Sequence, residues 1–122
     1  MEQKLLPKAD TDSKAIETPW GSLCWLAGRA FGNSDDITVG RVTIKPGMSN
    51  PRHRHPNCDE VLYLLQGTLE HTLDEDIVVV QAGDTLSVRR GVSHNATNTG
   101  NGDADMIVIF SSADRMVEHH ET

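Results

Sequence analysis

The chain has 122 residues, of which 37% are hydrophobic, a size and composition suited to one domain with one core. No apolar run approaches the ~20 residues that a membrane-crossing helix needs, and residues 1–12 lack the apolar middle of a secretory signal, so the expected compartment is the cytoplasm. A formal charge of −7 argues against nucleic acid as a partner, because that would require a basic footprint.

In chain order, residues 1–19 are polar, carry Pro7 and Pro19, and show no sustained period. They read as a partly flexible N-terminal arm with one short strand. Strand signals then follow closely, separated by Gly, Asn and Asp. Residues 22–27 form a short apolar run, Asn33-Ser34-Asp35-Asp36 is a turn, and the β-rich run 37–45 stops at Pro46-Gly47. Residues 60–66 and 68–73 flank Gly67, and 77–81 follow the acidic turn Asp74-Glu75-Asp76. Residues 84–88 lead into Arg90-Gly91, 93–98 precede a turn at Gly100-Asn101-Gly102-Asp103, and 106–111 make the last strong strand. No convincing helix is read before residue 111. Many short strands with tight turns predict an all-β sandwich or closed barrel over residues 20–112. Residues 113–122 are a C-terminal tail, helical for one turn or frayed, and His119-His120 is read as its polar end rather than as part of a site. Cys24 and Cys58 are too few for a disulfide framework or a zinc cluster; both are expected as free thiols.

The informative stretch is residues 47–60. His53 and His55 are one residue apart, so on an extended strand their imidazoles fall on the same side. Glu60 adds a carboxylate at the start of the next apolar run, and His94 brings a third imidazole from a distant strand. Three neutral nitrogens and one charged oxygen suit Zn, Fe, Mn, Ni or Cu, whereas Ca and Mg prefer all-oxygen surroundings.

Gly47, His53-x-His55, Glu60 and Gly67 resemble the first cupin motif at every position. Gly83, Arg89-Arg90-Gly91, His94 and Asn98 resemble the second, with Arg89 where the family usually has proline. The fifteen residues between Gly67 and Gly83 resemble the short spacer of small bacterial cupins. The resemblance implies a double-stranded β-helix, the jelly-roll cupin barrel. It also implies one divalent transition metal on His53, His55, Glu60 and His94, with further coordination positions open to substrate or water, and a homodimer.

With the metal as a Lewis acid, the resemblance implies isomerase, lyase or dehydratase chemistry on a small oxygen-rich organic acid or sugar derivative. An Fe(II)-dependent dioxygenase and a noncatalytic small-molecule binding or sensing cupin are the alternatives. Inward parity places His71 in the barrel, as a hydrogen-bonded core histidine or, with Tyr63, a candidate for proton transfer. Arg41, Lys45, Arg52 and Arg54 are candidate anchors for an anionic substrate, since arginine offers a bidentate fork. Leu62, Leu64, Val108 and Phe110 would line an apolar wall that tolerates an aromatic substrate. Phe110 and Arg115 also fall near the C-terminal pattern of small cupins that rearrange unsaturated uronates. Those cupins carry an aspartate where this chain aligns Val108.

Overall fold

Alternation of side chains is the main pattern of the chain from residue 38 onward. The computed structural model, which describes residues 3–119, has eleven strands. They are β1 Ile16–Thr18, β2 Gly21–Ala27, β3 Thr38–Ile44, β4 His53–Arg54, β5 Glu60–Gln66, β6 Thr68–Leu73, β7 Asp76–Gln81, β8 Thr85–Val88, β9 His94–Asn98, β10 Ala104–Phe110 and β11 Glu118–His119. Along β3 and β10 every second residue is buried, the pattern of a sheet with one face on a core.

The strands form a six-stranded sheet in the order β1-β2-β3-β10-β5-β8 and a five-stranded sheet in the order β11-β4-β9-β6-β7. All pairings are antiparallel. The core joins the two sheets: Leu62, Leu64 and Met106 of the first pack with Leu69, Val80 and Ala96 of the second. This is the expected jelly roll. The chain passes from one sheet to the other at Gly67, between β5 and β6. Its φ of 98° is a conformation side chains avoid, and a Cβ there would lie 2.8 Å from Ala104 Cα.

Two helical pieces interrupt the all-strand expectation: α1, Lys8–Asp12, and a 3-10 turn at Arg29–Phe31. With five and three residues, both are too short for a helical period to show in the sequence. α1 lies on β2, burying Thr11, whose carbonyl accepts the Cys24 thiol at 3.4 Å. Among the described residues, no helix is long and apolar enough to cross a membrane.

Two features of the fold shape the interior. Gly40 in β3 leaves room for the Trp25 ring, which lies 2.6 Å from where a Cβ would stand. The indole therefore lies flat against the inner face of the sheet. Asn98 ends β9, and its buried amide donates to Ile44 O and Gly102 O, both at 2.8 Å, while its Oδ1 accepts Gly100 N–H at 2.9 Å. One side chain thereby ties β3, β9 and the 100–102 turn together.

Replacing Asn98 strands buried carbonyls without a donor, which costs ~1–3 kcal/mol for each group left unpaired. We expect Asn98→Ala to lower the unfolding free energy by about 2–4 kcal/mol in urea titration, whereas an exposed control such as Asn101→Ala changes it by less than about 0.5 kcal/mol.

Candidate metal centre

Each of the three histidines of the centre is oriented by the backbone. His53 Nδ1–H donates to Pro51 O at 2.8 Å, His55 Nδ1–H to Met116 O at 2.8 Å, and His94 Nδ1–H to Val92 O at 2.9 Å. With the Nδ1 protons committed, the Nε2 atoms are left to meet a ligand, the arrangement that outer partners impose on metal-binding histidines. Strand pairing brings them together: His53 lies opposite His94 in the β4–β9 ladder, and Glu60 opens β5 in the facing sheet. The ring centroids of His53 and His94 are 4.3 Å apart, and those of His53 and His55 4.9 Å. One donor atom from each of His53, His55, Glu60 and His94 lies within 4.8 Å of the others.

The carboxylate of Glu60 sits at the middle of this group and is only 5% exposed. His94 Nε2 is 3.1 Å and His55 Nε2 3.3 Å from its Oε1. Burial pushes the Glu60 pKa upward, but the contacts with His55 and His94 outweigh it and hold the carboxyl well below the usual carboxylate range. Burial likewise opposes a charge on His94, yet the Glu60 hydrogen bond raises its pKa. His53 is lowered to about 4, mainly by burial and then by His94.

These contacts fit a metal. A hydrogen bond from His94 Nε2 to Glu60 needs a second proton on a ring whose Nδ1–H is already donated. A dication in that position makes the proton unnecessary, which is why metal binding to such sites releases protons. His55 Nε2 is buried without a hydrogen-bond partner among the described residues, 3.3 Å from Glu60 Oε1. Neighbouring ligands of a metal with ~2.1 Å bonds stand ~3 Å apart, close to the two measured separations. Three imidazoles and one carboxylate select one divalent transition metal.

The surrounding cavity has a volume of about 180 Å³. His71, 2% exposed, lines it with its ring stacked on His94 at 5.5 Å and 16°. Its Nδ1–H donates to Thr72 O at 3.0 Å, and its pKa is lowered to about 4 by burial and by His94. Phe110 lines the cavity edge-on to His55, with centroids 4.8 Å apart.

The other predicted site residues lie elsewhere. Tyr63 is exposed on the outer face of β5, because it alternates with the inward Leu62 and Leu64. Leu64 is buried in the core rather than in the cavity wall. Arg41 points outward from β3 and pairs with Asp105, Arg52 donates to Ser93 Oγ and Asp74 O, and Arg54 pairs with Glu118 at 2.9 Å. Lys45 is exposed beside the 45–48 turn. None of these four lines the cavity. In the turn before His94, where the motif usually has proline, Asp59 accepts Arg90 N–H at 2.9 Å and lies 3.6 Å from Arg89 Nε.

The C-terminal segment changes the reading of the site. Asn57 binds Asp114 O at 2.9 Å and Met116 N–H at 3.0 Å, and β11 then pairs with β4, placing His119 opposite His53. His119 therefore lines the cavity instead of ending a polar tail, while His120 lies outside the described residues. The same segment brings in Arg115, with Cζ 4.6 Å from the Trp25 ring centroid and 5.2 Å from that of Phe110. Burial lowers the pKa of Arg115, while Glu60 and Cys58 act to raise it. The sequence offers one signal for Arg115, its position five residues beyond Phe110. A two-residue strand such as β11 has no period to read.

The chain belongs to the cupin family, whose domain model matches residues 40–110. It is 38% identical over 88 residues to germin-like protein 3-5 of Oryza sativa subsp. japonica, covering 66% of this chain and 39% of that protein. It is 34% identical over 88 residues to oxalate oxidase GF-3.8 of Triticum aestivum, with the same coverages of 66% and 39%. The chain thus spans about two fifths of the length of these curated relatives. Among solved structures it superposes on Bacillus subtilis oxalate decarboxylase, in work on that enzyme's Mn(II) centres, with a TM-score of 0.82 and 25% identity over 88% of this chain and 30% of that one.

Loss of the one anionic donor should weaken the centre most directly. We expect elemental analysis of protein loaded with Mn(II) and then desalted to find about one metal per chain in the natural sequence. Glu60→Gln should retain less than about a tenth of that, in line with the effect of removing a charged ligand. Full occupancy in Glu60→Gln would refute the assigned ligand set.

Proposed function

We propose that this cupin is a metal-dependent enzyme acting on a small carboxylic acid, of isomerase, lyase or dehydratase type. The observation that carries the proposal is the convergence of three backbone-oriented imidazoles on a buried carboxylate inside a cavity. A bound dication would supply Lewis-acid polarisation of a substrate oxygen. With neutral imidazoles, the formal charges of Glu60 and Arg115 cancel, so the dication leaves the cavity doubly positive. An uncompensated buried charge is costly, so the preferred ligand is an anion. The names of the relatives, oxalate oxidase and oxalate decarboxylase, support a carboxylate.

The chain's own residues divide the remaining work. His53, His55, Glu60 and His94 would hold the metal at the cavity wall. His71 offers the cavity an imidazole with Nδ1–H tied to Thr72 O, which leaves Nε2 as the atom to accept a substrate proton and later return it. The walls around that exchange are largely apolar. The alternative favoured by the same walls is an iron-dependent oxygenase, which differs in consuming oxygen.

The test is a panel of small carboxylic, hydroxy and 2-oxo acids, given to Mn(II)- and Fe(II)-loaded protein, with products followed by NMR and oxygen by electrode. Product formation without oxygen uptake is the expected result. His71→Gln should keep its metal and lose about 10²–10⁴-fold in kcat, the usual contribution of a positioned acid–base group. Stoichiometric oxygen uptake would favour the oxygenase, and absence of turnover in metal-loaded protein would leave a noncatalytic binder.

A further inference from the structure

Every other arginine among the described residues has a hydrogen-bond or ion-pair partner. Arg29 pairs with Asp35 and Asp114, Arg41 with Asp105, Arg54 with Glu118, and Arg89 and Arg90 with Asp59, while Arg52 is bonded to Ser93 and Asp74. Arg115 has none among the described residues, although it is half-buried. Its guanidinium sits instead in the wedge between Trp25 and Phe110, whose rings are 6.2 Å apart and tilted by 58°. Ring faces stabilise the cation without using its N–H groups. The fork therefore remains available to a planar, bidentate acceptor, and a carboxylate is the acceptor that matches it.

The wedge is itself built by the fold. Gly40 allows Trp25 to lie against the sheet, and Phe110 stands between Arg115 and the metal ligand His55. Around these groups the cavity wall is hydrocarbon, from Leu23, Val42, Ile44, Leu62, Met106 and Val108. At about 180 Å³ the cavity is slightly larger than the ~150 Å³ space that accepts benzene. A dianion that is polar on every side, such as oxalate, would leave this wall facing carboxylate oxygens.

We propose that the ligand is an amphipathic monocarboxylate with one ring, or a branched hydrocarbon body of that size. Its carboxylate is held by Arg115, its body lies along the Leu62–Met106–Val108 wall, and an oxygen substituent faces the His–Glu centre. The inference rests on the reading of the cavity as an anion site beside a metal, and it narrows that reading from carboxylic acids in general to one class. Arg115 and Trp25 then determine specificity, independently of which reaction follows.

Binding can be followed without turnover, through the fluorescence of Trp25 and Trp20 and by calorimetry, using Mn(II)-loaded protein. Benzoate, its neutral analogue benzamide, and oxalate are the probes; Arg115→Gln and Arg115→Lys are the variants. Thermal melting and metal content establish that both variants fold and load. Benzoate should bind at least about tenfold more tightly than benzamide or oxalate, as one charge-assisted contact plus an apolar wall requires. Arg115→Gln should lose about ten- to a hundredfold of the benzoate affinity with metal content unchanged, and Arg115→Lys should recover part of it. Oxalate binding more tightly than benzoate, benzoate affinity unaltered in Arg115→Gln, or no benzoate binding at all would overturn the proposal. Product formation is not measured in these titrations, so an inactive protein that still binds benzoate through Arg115 would count against the enzymatic reading alone.

Discussion

The architecture depends on keeping one carboxylate in a place where water does not reach. Glu60 opens β5 with its side chain directed into a barrel whose other inward residues are mostly hydrocarbon, and a lone buried carboxylate would protonate or pull the strand apart. His53 and His94 answer it from the other sheet and His55 from just beyond β4, and each is aimed by a backbone carbonyl rather than by packing alone. The carbonyls come from Pro51, Val92 and Met116, three separate segments, so the position of the carboxylate constrains loops on both sides of the molecule. Asp59, the residue beside Glu60, fixes the 89–90 turn that leads to His94. The burial of this charge is therefore a structural requirement as much as a chemical one.

What could be read from the sequence follows the length of each signal. The strands from 37 to 45, 60 to 73 and 106 to 111 each carry several alternations, and the structure places β3, β5, β6 and β10 within a residue or two of them. The His53, His55, Glu60 and His94 cluster was legible because strand parity and motif spacing agreed. Arginine placement was not. Arg41, Arg52 and Arg54 do not line the cavity: Arg41, opposite Ile107, pairs with Asp105, Arg54 pairs with Glu118, and Arg52 donates to Ser93 Oγ and the Asp74 carbonyl. Arg115 is distant in sequence and arrives through an irregular segment with no period. Its location is decided by Asn57, in the loop between β4 and β5, which binds Asp114 and Met116.

The interior combines two environments that are normally kept apart. One end is polar and crowded with imidazoles; the other is a hydrocarbon wall ending in a cation wedged between two rings. Phe110 joins them, its ring centroid 4.8 Å from that of His55 and 5.2 Å from Arg115 Cζ. A ligand that satisfied only one end would leave either a charge or a wall without its match.

The bond from His55 to Met116 spans sixty-one positions of the chain. β4, β5 and β9 all precede in the chain the carbonyl that orients His55. Until that carbonyl is in place the imidazole is free to choose either tautomer, and the ligand set is incomplete. The orientation of all three histidines is therefore complete only once the segment carrying Met116 has docked, and does not follow from the pairing of β4, β5 and β9 alone.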